Sequence, residues 1–198
     1  MKEKRQKVLN EALKLVPFNG WTDDILINSV KSANLDASYA QILFDHKVVN
    51  LVELFINNIE EKAISLIDKK HLDDLSIRNR ISYCVKAYLE AANIHKQAIR
   101  KTIVFYISPT RFFDAFKSLW KITDHIWHVS GDRATDLNHY SKRAILSVVY
   151  SSTLLYWLND KSDNHINSWE FLDRRIENVM QIEKCKNKAK NLLNKIKK

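Results

Sequence analysis

Apolar residues recur every three to four positions along almost the whole of this chain. Val8, Leu9, Ala12, Leu13 and Val16 form one stripe, which predicts a first helix over about residues 3–16, stopped by Pro17. The FNGWT segment reads as a turn, with Thr22 as the N-cap of a second helix bearing Ile25, Leu26 and Val30. Asn34 and Asp36 break that pattern. A short helix follows from about Ser38 and a long one over about 48–68. Further helices are predicted near 75–92, 95–106, 110–129, 134–158 and 165–182, and a lysine-rich one from about 184. Ser108-Pro109 and Ser130-Gly131-Asp132 are the clearest breaks, and no internal repeat is visible.

Composition narrows this to an all-α fold. Two glycines and two prolines in 198 residues are too few for the turns of a β protein. Gly20 and Gly131 are too far apart for a G-x-G-x-x-G or Walker A loop, both of which need clustered glycines to bring backbone near phosphate. Cys84 and Cys185 form no C-x-x-C pair, and they read as buried, inert thiols of a reducing compartment. The stretch AILSVVYSSTLLYWL at 144–158 is interrupted by hydroxyl residues and is shorter than the ~20 residues of a spanning helix. It is expected to be a core helix. MKEKRQKVLNEALKLV lacks the apolar centre of a secretory signal, and Glu3 and Glu11 argue against a transit peptide. A formal charge of +9 points to an anionic partner, either nucleic acid or a membrane surface.

The first three helices, running into FDHKVVNLVELF, have the layout of a helix-turn-helix followed by a long connecting helix. They resemble the N-terminal domain of TetR-type regulators, with Asn34 where those regulators usually carry glycine. Residues 34–46 would hold the recognition segment, yet they contain no Lys or Arg and do contain Asp36 and Asp45. Phosphate contact needs positive charge, so specific DNA binding is not expected and the helix-turn-helix reads as vestigial. A TetR-type transcriptional regulator with a hydrophobic effector is the competing functional class. The expected organisation is a vestigial helix-turn-helix over 1–47, ligand-binding and dimerisation helices over 48–183, and a basic amphipathic tail over 184–198.

DHIWHVSGDRATDLNHY, residues 124–140, gathers His125, His128, His139, Asp124, Asp132 and Asp136 around Gly131. His125 with His128, and Asp136 with His139, have the i, i+3 spacing that could place metal ligands on helix faces. No Glu is followed by His three residues later, so the pairs of di-iron bundles and the H-E-x-x-H motif are both absent. Asp132 fits better as an N-cap after a helix stop at Gly131, and neither a metal nor a catalytic group is expected.

The same residues carry a resemblance. WHVSGDRATDLNHYSKRAILSVVY and WEFLDRRIENVM at 169–180 are similar to the ubiquinone-biosynthesis accessory family of the ninth Coq protein, whose members have a TetR-like fold. The resemblance covers most of the chain and is densest from Asp124 to Met180. It implies a non-catalytic homodimer without cofactor that holds polyprenylated quinone intermediates or phospholipid in an apolar cavity and presents them to the demethoxyubiquinone hydroxylase. It also implies a docking patch for that hydroxylase formed by Asp124, Ile126, Asp136, His139, Tyr140 and Arg143, His139 standing where mitochondrial members carry tryptophan.

Large apolar groups are plentiful enough for such a cavity. Phe105, Phe112, Phe116, Leu119 and Trp120, with Leu146, Val149, Tyr150, Leu154 and Trp157, are the candidate lipid-binding residues, although the same stripes also serve ordinary core packing and a dimer interface. The tail places Cys185, Ala189, Leu192, Leu193 and Ile196 on one helical face among seven lysines, with no acidic residue from Lys184 onward. Lys188, Leu192, Leu193, Lys195 and Ile196 are therefore expected to bind an anionic membrane surface. The expected location is the cytoplasmic face of a bacterial inner membrane, or the mitochondrial matrix for a trimmed precursor.

Overall fold

The computed structural model describes residues 1–132, 137–179 and 181. Among them the regular elements are helices: α1 (Lys2–Asn19), α2 (Asp23–Ser32), α3 (Tyr39–Phe44), α4 (Val48–Leu66), α5 (Lys69–Asp73), α6 (Ile77–Ala91), α7 (Lys96–Tyr106), α8 (Phe112–Val129), α9 (Leu137–Asn159) and α10 (166–179), with short 3-10 turns at Asn93–His95, Pro109–Arg111 and Asp163–His165. The lysine-rich helix expected from about 184 lies outside the described residues. The chain divides into two compact units: Met1–Ile67 with Ala87–Ser118, and Asp68–Lys86 with the described part of Leu119–Lys198. Helices α6 and α8 contribute residues to both.

In the first unit, Val8, Leu9, Ala12 and Val16 of α1 are buried, as their spacing predicts. The helix does not stop at Pro17. Proline's fixed φ suits the last turn and forfeits only one hydrogen bond there, so α1 continues to Asn19 and ends where Gly20 takes a φ of 76°. Thr22 caps α2, its hydroxyl accepting from the Ile25 amide at 3.2 Å. Helix α2 ends on a paired closure: the Leu35 amide donates to the Val30 carbonyl and the Asn34 amide to the Lys31 carbonyl. That closure needs a left-handed residue, and Asn34 supplies it with a φ of 56°. The Trp21 indole donates to the Thr102 hydroxyl at 2.9 Å and so ties the α1–α2 turn to α7. Phe55 from α4 packs against the Trp21 ring at 5.5 Å.

The second unit has its core on α9 and α10, where Tyr150, Trp157, Leu172 and Ile176 are buried. The two helices are joined by a turn built on Asp160. Its carboxylate accepts from the amides of Ser162 and Ser168 at 2.8 and 2.9 Å and from both hydroxyls at 2.6 and 2.5 Å. The 144–158 stretch lies inside α9, and among the described residues no helix is long and apolar enough to cross a membrane. Cys84 is buried in this unit and burial pushes its thiol up to about 11, so it is protonated and unreactive at neutral pH. Cys185 lies outside the described residues.

Candidate functional site

Helix α8 closes on the left-handed Gly131, with the Asp132 amide donating to the Trp127 carbonyl and the Gly131 amide to the His128 carbonyl. A side chain at Gly131 would have to adopt the φ of 93° that glycine takes freely, and its Cβ would meet the Arg80 guanidinium at 3.4 Å. The turn folds Asp132 back onto α9. Its carboxylate accepts from the Lys142 ammonium at 2.7 Å and from the Arg143 guanidinium at 3.1 Å. Arg143 also donates to Asp124 on α8 at 2.5 Å and to the His139 carbonyl at 3.1 Å. The Asp132 and Arg143 side chains are only 6% and 4% exposed. Buried charges are tolerable when each is paired and hydrogen-bonded, and this network meets that condition by linking α8, the turn and α9.

Further bonds strap the same helices together. The Trp127 indole donates to the Lys142 carbonyl at 3.0 Å, and the Lys142 ammonium lies 5.3 Å from the Trp127 ring centre. Deeper in, the Ser147 hydroxyl donates to the Arg143 carbonyl at 2.8 Å and lies 3.3 Å from the Thr123 hydroxyl. On the outer side, Tyr140 is exposed, with Trp120 at 6.1 Å and the His139 ring at 5.1 Å.

The anticipated patch thus separates into two layers. Asp124, His139 and Tyr140 reach the surface, whereas Ile126 is fully buried and Arg143 nearly so, making those two its supports. Asp136 lies outside the described residues. Asp132 neighbours 133–136, which are also outside, so what the structure gives for it is its pairing with Lys142 and Arg143. Among the described residues no three His, Cys, Asp or Glu side chains are grouped to hold a metal ion.

Next to this network is an apolar cavity of about 280 Å³. Ile77 and Ile81 of α6, Ile145, Leu146 and Val149 of α9, and Ile176 and Val179 of α10 form most of its wall. Trp127, Gly131, Asp132, Lys142 and Arg78 complete it, and Arg78 is paired with Glu177. Of the ten candidate lipid-binding residues, the cavity wall contains Leu146 and Val149. Tyr150 and Trp157 are buried in the same unit and Leu119, Trp120 and Leu154 are partly buried, none of the five lining the cavity. Phe105 is buried in the other unit, where Phe112 and Phe116 are exposed. Ile77, Ile81, Ile176 and Val179 were missed because α6 and α10 read as ordinary amphipathic helices, in which nothing local separates cavity-lining from core positions. Their i, i+4 and i, i+3 spacing, Ile77 with Ile81 and Ile176 with Val179, marks them only as apolar-face positions. The proposed membrane residues Lys188, Leu192, Leu193, Lys195 and Ile196 lie outside the described residues.

Residues 113–183 match the COQ9 family model. Over 183 residues the chain is 29% identical to the mitochondrial ubiquinone biosynthesis protein COQ9-B of Xenopus laevis, covering 89% of this chain and 62% of that protein. It is 22% identical to the mitochondrial ubiquinone biosynthesis protein COQ9 of Homo sapiens over 189 residues, covering 90% and 58%. The Drosophila melanogaster COQ9 gives 27% identity, covering 90% and 56%. The chain therefore spans somewhat under two thirds of the length of these curated relatives. Among solved structures, a TetR transcriptional regulator from Nitrosomonas europaea superposes with a TM-score of 0.71 at 15% identity, covering 87% of this chain and 95% of that one. The fold is TetR-like and all-α, and the relatives in sequence are ubiquinone biosynthesis proteins.

Proposed function

We propose that this protein is a non-catalytic lipid-binding accessory protein of ubiquinone biosynthesis, which holds a polyprenylated quinone intermediate or a phospholipid and presents it to the demethoxyubiquinone hydroxylase. The observation that carries the reading is the apolar cavity, most of whose wall, apart from Ile77, Arg78 and Ile81 of α6, comes from the segment 113–183 similar to the COQ9 family. At about 280 Å³ it is near the lower end of ligand pockets, which run from ~300 Å³ upward. It has room for a ring or a short length of chain, so most of a long polyprenyl tail would lie outside it. Transfer of apolar surface from water into such a wall is favourable without any directional contact, which suits carriage of a tail rather than reaction upon it. Asp132, Lys142 and Trp127 belong both to the cavity wall and to the network beneath the exposed Tyr140. A hydroxylase bound at Tyr140, His139 and Asp124 would therefore sit against the ligand's polar end.

Self-association follows from α9. Ala144, Val148 and Leu155 are exposed along one side of that helix, with Val148 and Leu155 too apolar to favour water. A second copy covering this stripe gives the homodimer. Attachment to an anionic membrane, at a cytoplasmic or matrix face, completes the reading through the lysine tail.

The test is extraction of the purified protein with organic solvent and identification of co-purified lipid by mass spectrometry. Isoprenoid quinones or phospholipid in stoichiometric amount are expected. Val149→Trp, which fills the cavity from its wall, should reduce that lipid severalfold in a folded protein. Unchanged lipid in the folded variant would overturn the assignment of the cavity.

A further inference from the structure

The corner between α7 and α8 gathers several exposed large apolar side chains in one short stretch of the first unit. Ile107 is 72% exposed at the end of α7, and Phe112, Phe113 and Phe116 are 62%, 82% and 52% exposed on the first turns of α8. Val104 is exposed one turn before Ile107. The Phe112 and Phe113 rings touch at 6.1 Å. Five large apolar side chains within thirteen residues, standing in water, are a patch that soluble surfaces rarely leave uncovered.

The corner is also held firmly. The Arg111 guanidinium lies 4.0 Å from the centre of the buried Phe105 ring, anchoring the 3-10 turn Pro109–Arg111 to α7. Residues 96–118 carry Lys96, Arg100, Lys101, Arg111 and Lys117 against the single acid Asp114. Apolar groups at the tip and cations around it are the arrangement that suits an anionic bilayer, where phenyl rings enter the acyl boundary and long basic side chains stay at the headgroups.

We propose that the α7–α8 corner is a membrane-inserting tip for anionic lipid, a contact separate from the lysine tail. A second copy of the chain fits less well. A two-fold pair brings the same patch onto itself, and here that would face five cations with one acid against their duplicates. The rings, moreover, are spread over ~100° of α8 and continue onto α7, which a fluid bilayer accommodates without matching pockets.

The test uses the full chain with vesicles of phosphatidylcholine alone or mixed with phosphatidylglycerol. Phe113→Cys, in a background carrying Cys185→Ser, is labelled with an environment-sensitive dye, Cys84 being buried and protonated. Mixed vesicles should shift the dye emission to the blue, neutral vesicles far less, and raised salt should reverse the shift. The triple variant Phe112→Ser, Phe113→Ser and Phe116→Ser should lower partitioning onto mixed vesicles about tenfold or more while keeping its far-ultraviolet dichroism. Dye emission unchanged in protein that sediments with vesicles would place the attachment elsewhere and overturn the tip. A blue shift that depends on protein concentration without vesicles would make the corner a self-association surface and overturn it equally. Neither outcome bears on the cavity, whose lipid content is measured independently.

Discussion

Asp160 shows how one side chain can set a connection. Burial is the largest influence on its carboxyl and raises its pKa, but the hydroxyls and amides of Ser162 and Ser168 together outweigh it and hold the group well below the usual carboxylate range. A depressed folded pKa means that the stabilisation is complete above the unfolded value near 3.8 and is lost as pH falls through the folded one. Asp160→Ala should cost about 1–2 kcal/mol at neutral pH, as lost caps do, and lower Tm by about 2–8 °C. Thermal scans of both proteins at descending pH should show the difference shrinking only below about pH 4. A gap that stayed constant into strong acid would mean that packing, not the charged cap, holds the turn. Arg143 is the converse case: a buried cation shared by Asp124 and Asp132, which fixes helices rather than offering a surface.

The connections between elements were decided by equally local chemistry. The closure of α2 at Asn34 replaces the glycine usual in TetR-type regulators with the non-glycine residue most at ease in the left-handed region. Asn34→Gly should therefore leave stability within about 0.5 kcal/mol, whereas Asn34→Val should destabilise by about 1–2 kcal/mol through steric strain. Urea unfolding of the two variants would measure both, and equal midpoints would show that Asn34 is held by side-chain contacts instead. Helix α3, only six residues long, follows this closure. The Ser38 hydroxyl and amide hold the Asp36 carboxyl below its ordinary value, so the segment keeps a negative charge at neutral pH.

On the scale of the whole molecule, the charge of +9 belongs to a TetR-like fold in which residues 34–46 carry Asp36 and Asp45 and no Lys or Arg. DNA affinity should accordingly be weak, insensitive to sequence and steeply reduced by salt, since it would come from counterion release by dispersed lysines. Fluorescence anisotropy with palindromic and scrambled duplexes should give the same affinity for both. A protected palindromic footprint that survives deletion of residues 184–198 would instead restore the regulator. The membrane reading draws on the same charge but adds apolar groups, which is why vesicles and duplexes should differ in their response to the phenylalanines of α8.

Periodicity and punctuation made most helices legible in the sequence, because caps and closures such as Thr22 and Gly131 act within a few residues of chain. The all-α class followed from the same local rules and from the scarcity of glycine and proline. Pro17 misled because one lost hydrogen bond does not end a helix in its last turn. Which apolar face meets which was beyond those rules. The sequence marks Phe112, Phe116 and Ile126 alike as apolar positions, yet packing buries Ile126 and leaves both phenylalanines in water. The cavity wall joins α6, α9 and α10, whose stripes are separated by up to about a hundred residues and whose convergence no local pattern encodes. Burial is a property of neighbours brought together from distant sequence, and only the tertiary structure assigns those neighbours.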